Sequence, residues 1–404
     1  MIARHLAKTL KAAAKQYPVV TLTGPRQSGK TTLVRASFPK HRYVSLEDPD
    51  HRAFALSDPR GFLDQFSGKV ILDEAQRVPE LFSYIQGIVD ETDKAGQFIL
   101  TGSQNFLLLQ KVSQSLAGRC AVLHLLPFSR SELANRPMMP LDRIETPPSR
   151  KRAESARIED VPSLFDALFK GFYPRIHDKA LEPQKWLANY YRTYLERDVR
   201  EVLNVGDLET FGRFVRLCAG RCGQLLSLSS LASDAGVSHT TARRWLSILE
   251  ASFLVYLLRP HHRNFNKRLV KSPKLYFLDT GLLCYLLRIR DADDLTMHAS
   301  RGAIFEAWAL SELLKIYHNQ GLEPDVYFWR DSAGHEVDLL IDRGNSLVPV
   351  EIKSGQTIAD DAFKGLGYWR TLPEQDDCPG TLVYGGASSY VRKGFTVRGW
   401  QDWG

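Results

Sequence analysis

Between Pro18 and Leu22 the chain is apolar without a break, the pattern of a buried strand; from Thr31 to Ser37 it turns helical. Further apolar stretches of strand length follow at His41–Leu46, Lys69–Leu72, Gln97–Thr101 and Cys120–Leu125, with a helical pattern over Pro79–Glu91. Strands alternating with helices read as an α/β domain over residues 1–135. The basic, amphipathic opening, Met1 to Lys15, runs straight into the first strand and reads as the first helix of the fold rather than a transit peptide.

The period then disappears. Residues 136–160, rich in proline and charge and including Arg150, Lys151 and Arg152, read as a linker. Helical patterns resume over 161–204, ending in a long one from Trp186 to Val202. Its Tyr190, Tyr194, Leu195 and Val199 recur at helical spacing, as core residues do. Within 205–300, Leu228–Leu249 has the build of a helix-turn-helix. Its first helix ends at Gly236, Ser238 caps the second, and Ala242, Leu246 and Leu249 face inward. Two strands, Phe253–Arg259 and Lys274–Asp279, then read as a hairpin. In 301–404 an apolar helix, Ala303–Ile316, precedes three strands: Val326–Arg330, Glu336–Asp342 and Leu347–Lys353.

Composition narrows this picture only a little. A chain of 404 residues exceeds one core, and its apolar and charged fractions, 44% and 25%, are those of globular proteins. The net charge of +7 suits a polyanionic partner. Five scattered cysteines without a C-x-x-C pair predict reduced thiols and a cytoplasmic protein. No apolar run is long enough to cross a bilayer, so no membrane partner is expected.

Chemistry enters at the first turn. Gly24-Pro25-Arg26-Gln27-Ser28-Gly29-Lys30-Thr31-Thr32 fits G-x-x-x-x-G-K-[ST] in full and sits between a strand and a helix, as that pattern requires. Glycines let successive N–H groups turn inward around phosphates, and the helix N-terminus adds a favourable dipole. Lys30 would reach the β- and γ-phosphates, and the Thr31 hydroxyl would hold Mg²⁺. At the end of the third strand, Asp73 would complete the Mg²⁺ shell and Glu74 would orient and polarise the attacking water. Thr101 and Ser103 both qualify as γ-phosphate sensors, Ser103 slightly preferred. Arg119 has two readings: a cation reaching a neighbouring subunit's γ-phosphate, or a helix cap.

Two further constellations stand out. In the helix-turn-helix, Arg243 and Arg244 lie outward beside His239 and Thr240, and the hairpin connection adds Arg263, Lys267 and Arg268. A winged helix contacting DNA through these residues is one reading; a protein adaptor is the other. In the C-terminal region, a two-residue turn at Gly344 and Asn345 would pair strand residues by a constant index sum. Asp338 would then face Glu351, and Glu336 would face Lys353. Like charges in a row are destabilising, and a divalent metal together with Lys353 would resolve them.

The phosphate loop, the run Ile71-Leu72-Asp73-Glu74-Ala75-Gln76, the run Leu100-Thr101-Gly102-Ser103 and the run Ser115-Leu116-Ala117-Gly118-Arg119 closely resemble those of one family. It is the prokaryotic AAA-type P-loop ATPases with a C-terminal domain of the DUF4143 type. By that resemblance the nucleotide is ATP, the sheet is of the additional-strand type, and Arg119 takes the arginine-finger place. Gly171 to Pro174 resembles the turn opening a lid helix, where Arg175 would contact the γ-phosphate. Asp338, Glu351 and Lys353, with Glu306 upstream, are similar to restriction-endonuclease-like nucleases, in which the carboxylates hold Mg²⁺; a degenerate nuclease fold is the alternative.

The expectation is therefore a P-loop NTPase domain (1–135), a linker (136–160), a helical lid (161–204), a winged helix (205–300) and a restriction-endonuclease-like domain (301–404). Such a chain would be an ATP-driven motor on branched or recombining DNA, assembled as a homo-oligomeric, hexameric ring. An ATP-gated nuclease and a nucleotide-controlled protein-interaction switch are the rival expectations.

Overall fold

The computed structural model describes residues 2–66, 68–92, 94–103, 115–146, 163–194, 208–261, 271–373, 375 and 378–404. They form two units: 1–128 with 251–253 and 317–323, and 129–250 with 254–316 and 324–404. None of the described helices is long and apolar enough to cross a membrane.

In the first unit five strands lie parallel: β1 (Val19–Thr23), β2 (Arg42–Ser45), β3 (Val70–Asp73), β4 (Phe98–Gly102) and β5 (Cys120–His124). Their order is β2-β3-β4-β1-β5, so β4 is inserted between the phosphate-loop strand and β3. Both faces of the sheet are covered, which is why β1 and β4 are buried at every position rather than alternately. Val19, Leu72 and Leu100 pack towards Phe82, Ile85 and Val89 of the helix Leu81–Thr92. Val20, Ile71 and Ile99 face the other way, onto Leu6 and Leu10 of the first helix and Leu33 and Val34 of the helix Lys30–Ser37. Because all five strands run the same way, β1, β3 and β4 deliver their C-terminal ends to one edge.

The second unit begins at Ser129, where a capping box with Glu132 opens a short helix and the Arg130 N–H donates to buried Glu312 at 2.9 Å. The first unit, as contacts divide the chain, ends at Phe128, and the Arg130 N–H finds its partner on the helix Arg301–Asn319. Part of the expected linker is also fixed. Residues 141–146 supply carbonyls to the C-terminal sheet: Thr381 and Arg398 donate to Ile144 at 3.0 Å, and Thr396 to Glu145 at 2.6 Å. An irregular segment satisfies its backbone this way without any periodic signal.

Helices Leu164–Lys170, Pro174–Asp178 and Pro183–Tyr194 come next; the rest of the expected long helix, with Leu195 and Val199, lies outside the described residues. Three more helices, Leu208–Gly220, Leu228–Ala235 and His239–Ala251, lead into an antiparallel pair, β6 (Val255–Leu258) and β7 (Lys274–Phe277). Gly236, with φ +73°, ends the second of these helices, and the Ser238 hydroxyl accepts from the Thr241 N–H at 3.1 Å to cap the third.

A six-stranded sheet closes the chain: β8 (Val326–Arg330), β9 (Glu336–Asp342), β10 (Leu347–Lys353), β11 (Thr381–Tyr384), β12 (Tyr390–Arg392) and β13 (Phe395–Gly399), ordered β12-β13-β11-β10-β9-β8. Strands β9 and β10 pair as Asp342–Leu347, Ile341–Val348, Leu340–Pro349 and Leu339–Val350, the constant index sum expected of a two-residue turn. The hairpin β6–β7 reaches this sheet at its β8 edge, where the His261 N–H donates to the Phe328 carbonyl at 2.8 Å.

Candidate active site

The phosphate loop leaves β1 at Gly24, which adopts φ +147° and passes so close to β5 that a Cβ there would stand 2.2 Å from the Leu125 carbonyl oxygen. Only glycine fits. The buried Lys30 ammonium donates to the Gly24 and Pro25 carbonyls at 2.9 and 2.8 Å, so the loop is curled around its own lysine. Arg4, from the segment before the first helix, donates to the carbonyls of Ser28 and Leu126 at 2.7 and 2.6 Å and braces the loop from outside.

Asp73 ends β3 within reach of that loop. Its Oδ2 accepts from Thr31 at 3.0 Å and from Tyr43 at 2.7 Å, and its Oδ1 accepts from Thr101. Burial, reinforced by Asp73, pushes the Tyr43 hydroxyl up to about 12, so it remains a donor throughout the neutral range. Glu74 follows with φ +55°, an uncommon value for a residue with a side chain, at the entry to the turn Ala75–Arg77. Its Oε2 accepts from Ser103 at 3.1 Å and from Gln76. The two sensor candidates thus divide between the two carboxylates, Thr101 on Asp73 and Ser103 on Glu74. A hydroxyl and a carboxylate at this separation are hard oxygen donors of the kind Mg²⁺ takes, so the residues fit an Mg²⁺–nucleotide.

Arg119 stands elsewhere. It precedes β5, and its carbonyl accepts from the Val19 N–H at the start of β1. It therefore lies at the edge of the sheet opposite the phosphate loop, about 16 Å away for strands of this length. Its guanidinium is exposed and engages Asp90 with two nitrogens. Arg175, exposed in the first turn of the helix Pro174–Asp178, belongs to the second unit.

In the second unit, Ala242, Trp245, Leu246 and Leu249 are buried, while His239, Thr240, Arg243 and Arg244 are exposed on the same helix. Arg263, Lys267 and Arg268 lie outside the described residues.

The C-terminal carboxylates do converge, and on more partners than their pattern shows. Lys353 Nζ lies 2.7 Å from Glu351 Oε1 and 3.6 Å from Asp338 Oδ2. The Asp338 carboxylate also accepts from the Ile352 N–H at 2.8 Å. From β7, the buried Lys274 reaches Glu336 and, at 3.4 Å, Glu306, which also accepts from Tyr276; Arg330 meets Glu336 at 3.1 Å. Burial first, then Asp338, pushes Glu306 up to about 7 and Glu351 up to about 8. Burial works to lower the Lys274 ammonium, but Glu306, Asp338 and Glu336 outweigh it and its pKa rises. Among the described residues no three carboxylate, imidazole or thiolate groups stand as a metal site. Positive charge beside Asp338 and Glu351 is supplied here by the Lys353 ammonium, and beside Glu306 and Glu336 by that of Lys274.

Tyr43, Arg4 and Lys274 carry no recognisable spacing relative to the residues they serve. Gln76 differs in sitting inside a motif, two residues after Glu74.

Three family models match the chain: an AAA domain over residues 16–134, a domain of unknown function, DUF8612, over 161–293, and DUF4143 over 301–401. The second spans both the helical region and the three-helix and hairpin region. Among curated proteins, the uncharacterized protein Rv2008c of Mycobacterium tuberculosis and Mb2031c of Mycobacterium bovis are each 33% identical over 358 residues, 88% of this chain and 74% of theirs. Among solved structures, the Walker-type ATPase paby2304 of Pyrococcus abyssi is 15% identical, with TM-score 0.42 over 71% of this chain and 96% of that one. AMPPCP-bound DnaA from Aquifex aeolicus is 17% identical, with TM-score 0.27 over 61% and 85%.

Proposed function

Because this chain belongs to the family of AAA-type P-loop ATPases with a C-terminal domain of the DUF4143 type, we propose that it hydrolyses ATP and couples turnover to work on DNA, branched or recombining DNA first, as a ring of identical subunits. The observation that carries the ATPase reading is the meeting of Lys30, Thr31, Asp73 and Glu74 at one edge of the first sheet. Lys30 would exchange its loop carbonyls for phosphate oxygens. Thr31 and Asp73 would hold Mg²⁺, which when bound draws charge from the phosphates. Glu74 would take the proton of the attacking water, and Ser103, already on that carboxylate, would report the state of the γ-phosphate.

The place of Arg119 supports a ring. At the far edge of its own sheet, it serves a nucleotide only across a subunit boundary, after exchanging Asp90 for phosphate. Arg119→Ala should bind ATP and fail to hydrolyse it, and mixing it with Glu74→Gln should restore part of the activity. A monomer with a full ATPase rate would end this reading.

Three helices followed by a hairpin support a winged helix, and exposed Arg243 and Arg244 support phosphate contact, with Arg263, Lys267 and Arg268 in the intervening connection. Arg175 is kept as a nucleotide sensor, and its helices as a lid, by resemblance. The test is ATPase activity against single-stranded, duplex and four-way DNA. Stimulation lost on replacing Arg243 and Arg244 is expected; no stimulation by any DNA favours the interaction switch. A second reading, an ATP-gated nuclease at Asp338, Glu351, Glu306 and Lys353, is favoured by their convergence, with Lys353 meeting Asp338 and Glu351 while Glu306 is engaged by Lys274.

A further inference from the structure

Glu74 is held from two sides by one of its oxygens. The Gln76 amide and the Ser103 hydroxyl both donate to Oε2, while Oε1 accepts no hydrogen bond among the described residues. Gln76 is buried, 8% exposed, and its own Oε1 has no partner among the described residues. An unsatisfied buried amide oxygen is costly, so this side chain is not placed for its own comfort. Its NH₂ can face the carboxylate while its oxygen cannot, which fixes the amide's orientation. The backbone contributes as well: Glu74 at φ +55° turns the chain so that a residue two positions on folds back over its side chain.

We propose that Gln76 is a positioning residue for the reaction of Glu74, an assignment that rests on the ATPase reading. With Oε2 occupied by two donors from different elements, the carboxylate has one rotational position and Oε1 is its only basic oxygen. In the hydrolytic step the water oxygen bonds to the γ-phosphorus, its proton passes to Glu74 Oε1, and the bond from phosphorus to the ADP oxygen breaks. The proton then leaves to phosphate or solvent. Gln76 touches neither water nor nucleotide. Its effect appears in turnover and not in binding.

The experiment is a double-mutant cycle on the full chain. Gln76→Met keeps the volume and removes the donor; Gln76→Ala serves as a second variant, and thermal midpoints verify that both fold. Expected are a fall in kcat of about tenfold or more, a fraction of what a general base contributes, and an unchanged dissociation constant for ATP. In a Glu74→Gln background, single-turnover phosphate release should show that Gln76→Met costs almost nothing further, because residues acting as a unit are not additive. A wild-type kcat in folded Gln76→Met, or losses that multiply in the double variant, overturns the assignment. A wild type that binds ATP without hydrolysing it overturns the ATPase reading itself, and is seen before any variant is made.

Discussion

The chain gathers carboxylates in two places and treats them in opposite ways. At the nucleotide site Asp73 and Glu74 are held by neutral donors: the hydroxyls of Thr31, Tyr43, Thr101 and Ser103 and the amide of Gln76. In the second unit Glu306, from the helix Arg301–Asn319, and Glu336, Asp338 and Glu351, from the C-terminal sheet, meet charges, Lys274, Lys353 and Arg330, besides the neutral donors Tyr276 and the Ile352 N–H. Neutral donors fix geometry and leave the negative charge to be used. Ammonium groups fix geometry by cancelling it. The first arrangement stays open to a divalent cation, and the second has its cations built in.

The largest effect expected from this contrast is at Glu74. Glu74→Gln keeps the shape but would remove the proposed base, so turnover should fall by at least about 100-fold while ATP binding persists. Phosphate release beside a binding titration measures both, and a wild-type rate would show that Glu74 is not the base.

Second in size is Lys274→Met. It leaves Glu306 with Tyr276 and Glu336 with Arg330 but removes the ammonium between them, a change whose upper bound is the roughly 3–5 kcal/mol of breaking a buried pair. The thermal midpoint should drop in metal-free buffer and recover on adding Mn²⁺, while the wild-type midpoint does not respond to Mn²⁺ at this cluster. A wild-type response that disappears in Asp338→Ala would show that the lysines do not exclude metal.

Acidity gives a smaller and more gradual signal. Glu306 and Glu351 bind protons more tightly folded than unfolded, so their contribution to stability is whole below the ordinary carboxylate range and is lost as pH rises towards about 7 and 8. Lys274, raised from its ordinary value, loses its contribution only at far higher pH. Denaturant midpoints should therefore decline between about pH 4.5 and 8, and Glu351→Gln should flatten that slope. An unchanged slope would mean that these groups titrate alike in both states.

The smallest change expected is that of Tyr43→Phe. One of three donors to Asp73 is lost, so ATP turnover should fall by about threefold at most, because Thr31 and Thr101 still fix the carboxylate. A loss as large as that of Glu74→Gln would make Tyr43 part of the chemistry.

Much of this contrast was legible in the sequence wherever its signal was local. The index sum predicted for the β9–β10 turn is the one the ladder adopts, and Ser238 caps the helix whose inward face was read from Ala242, Leu246 and Leu249. Phosphate loop and acidic strand end follow from patterns a few residues long. The built-in cation was not legible. Lys274 reads as one more base in a basic hairpin and comes to Glu306 and Glu336 through tertiary packing that leaves no period. For the same reason residues 141–146 looked like linker: side-chain donors from distant strands hold them, and propensity registers nothing of that kind.

The turn between β9 and β10 carries one further consequence, which is a matter of parity. Side chains alternate between the two faces of a strand, so Asp338 and Glu351 share a face only while the ladder keeps its register. Two residues added beside Gly344 would preserve that parity. One residue added there would send one carboxylate of the pair to the opposite side of the sheet if the two-residue turn is kept and the ladder slips by one, and would leave the pair intact if the loop lengthens instead. A gain or loss of a single codon at this exposed turn can thus dismantle the cluster through a slip of the ladder, although no residue that composes it has changed.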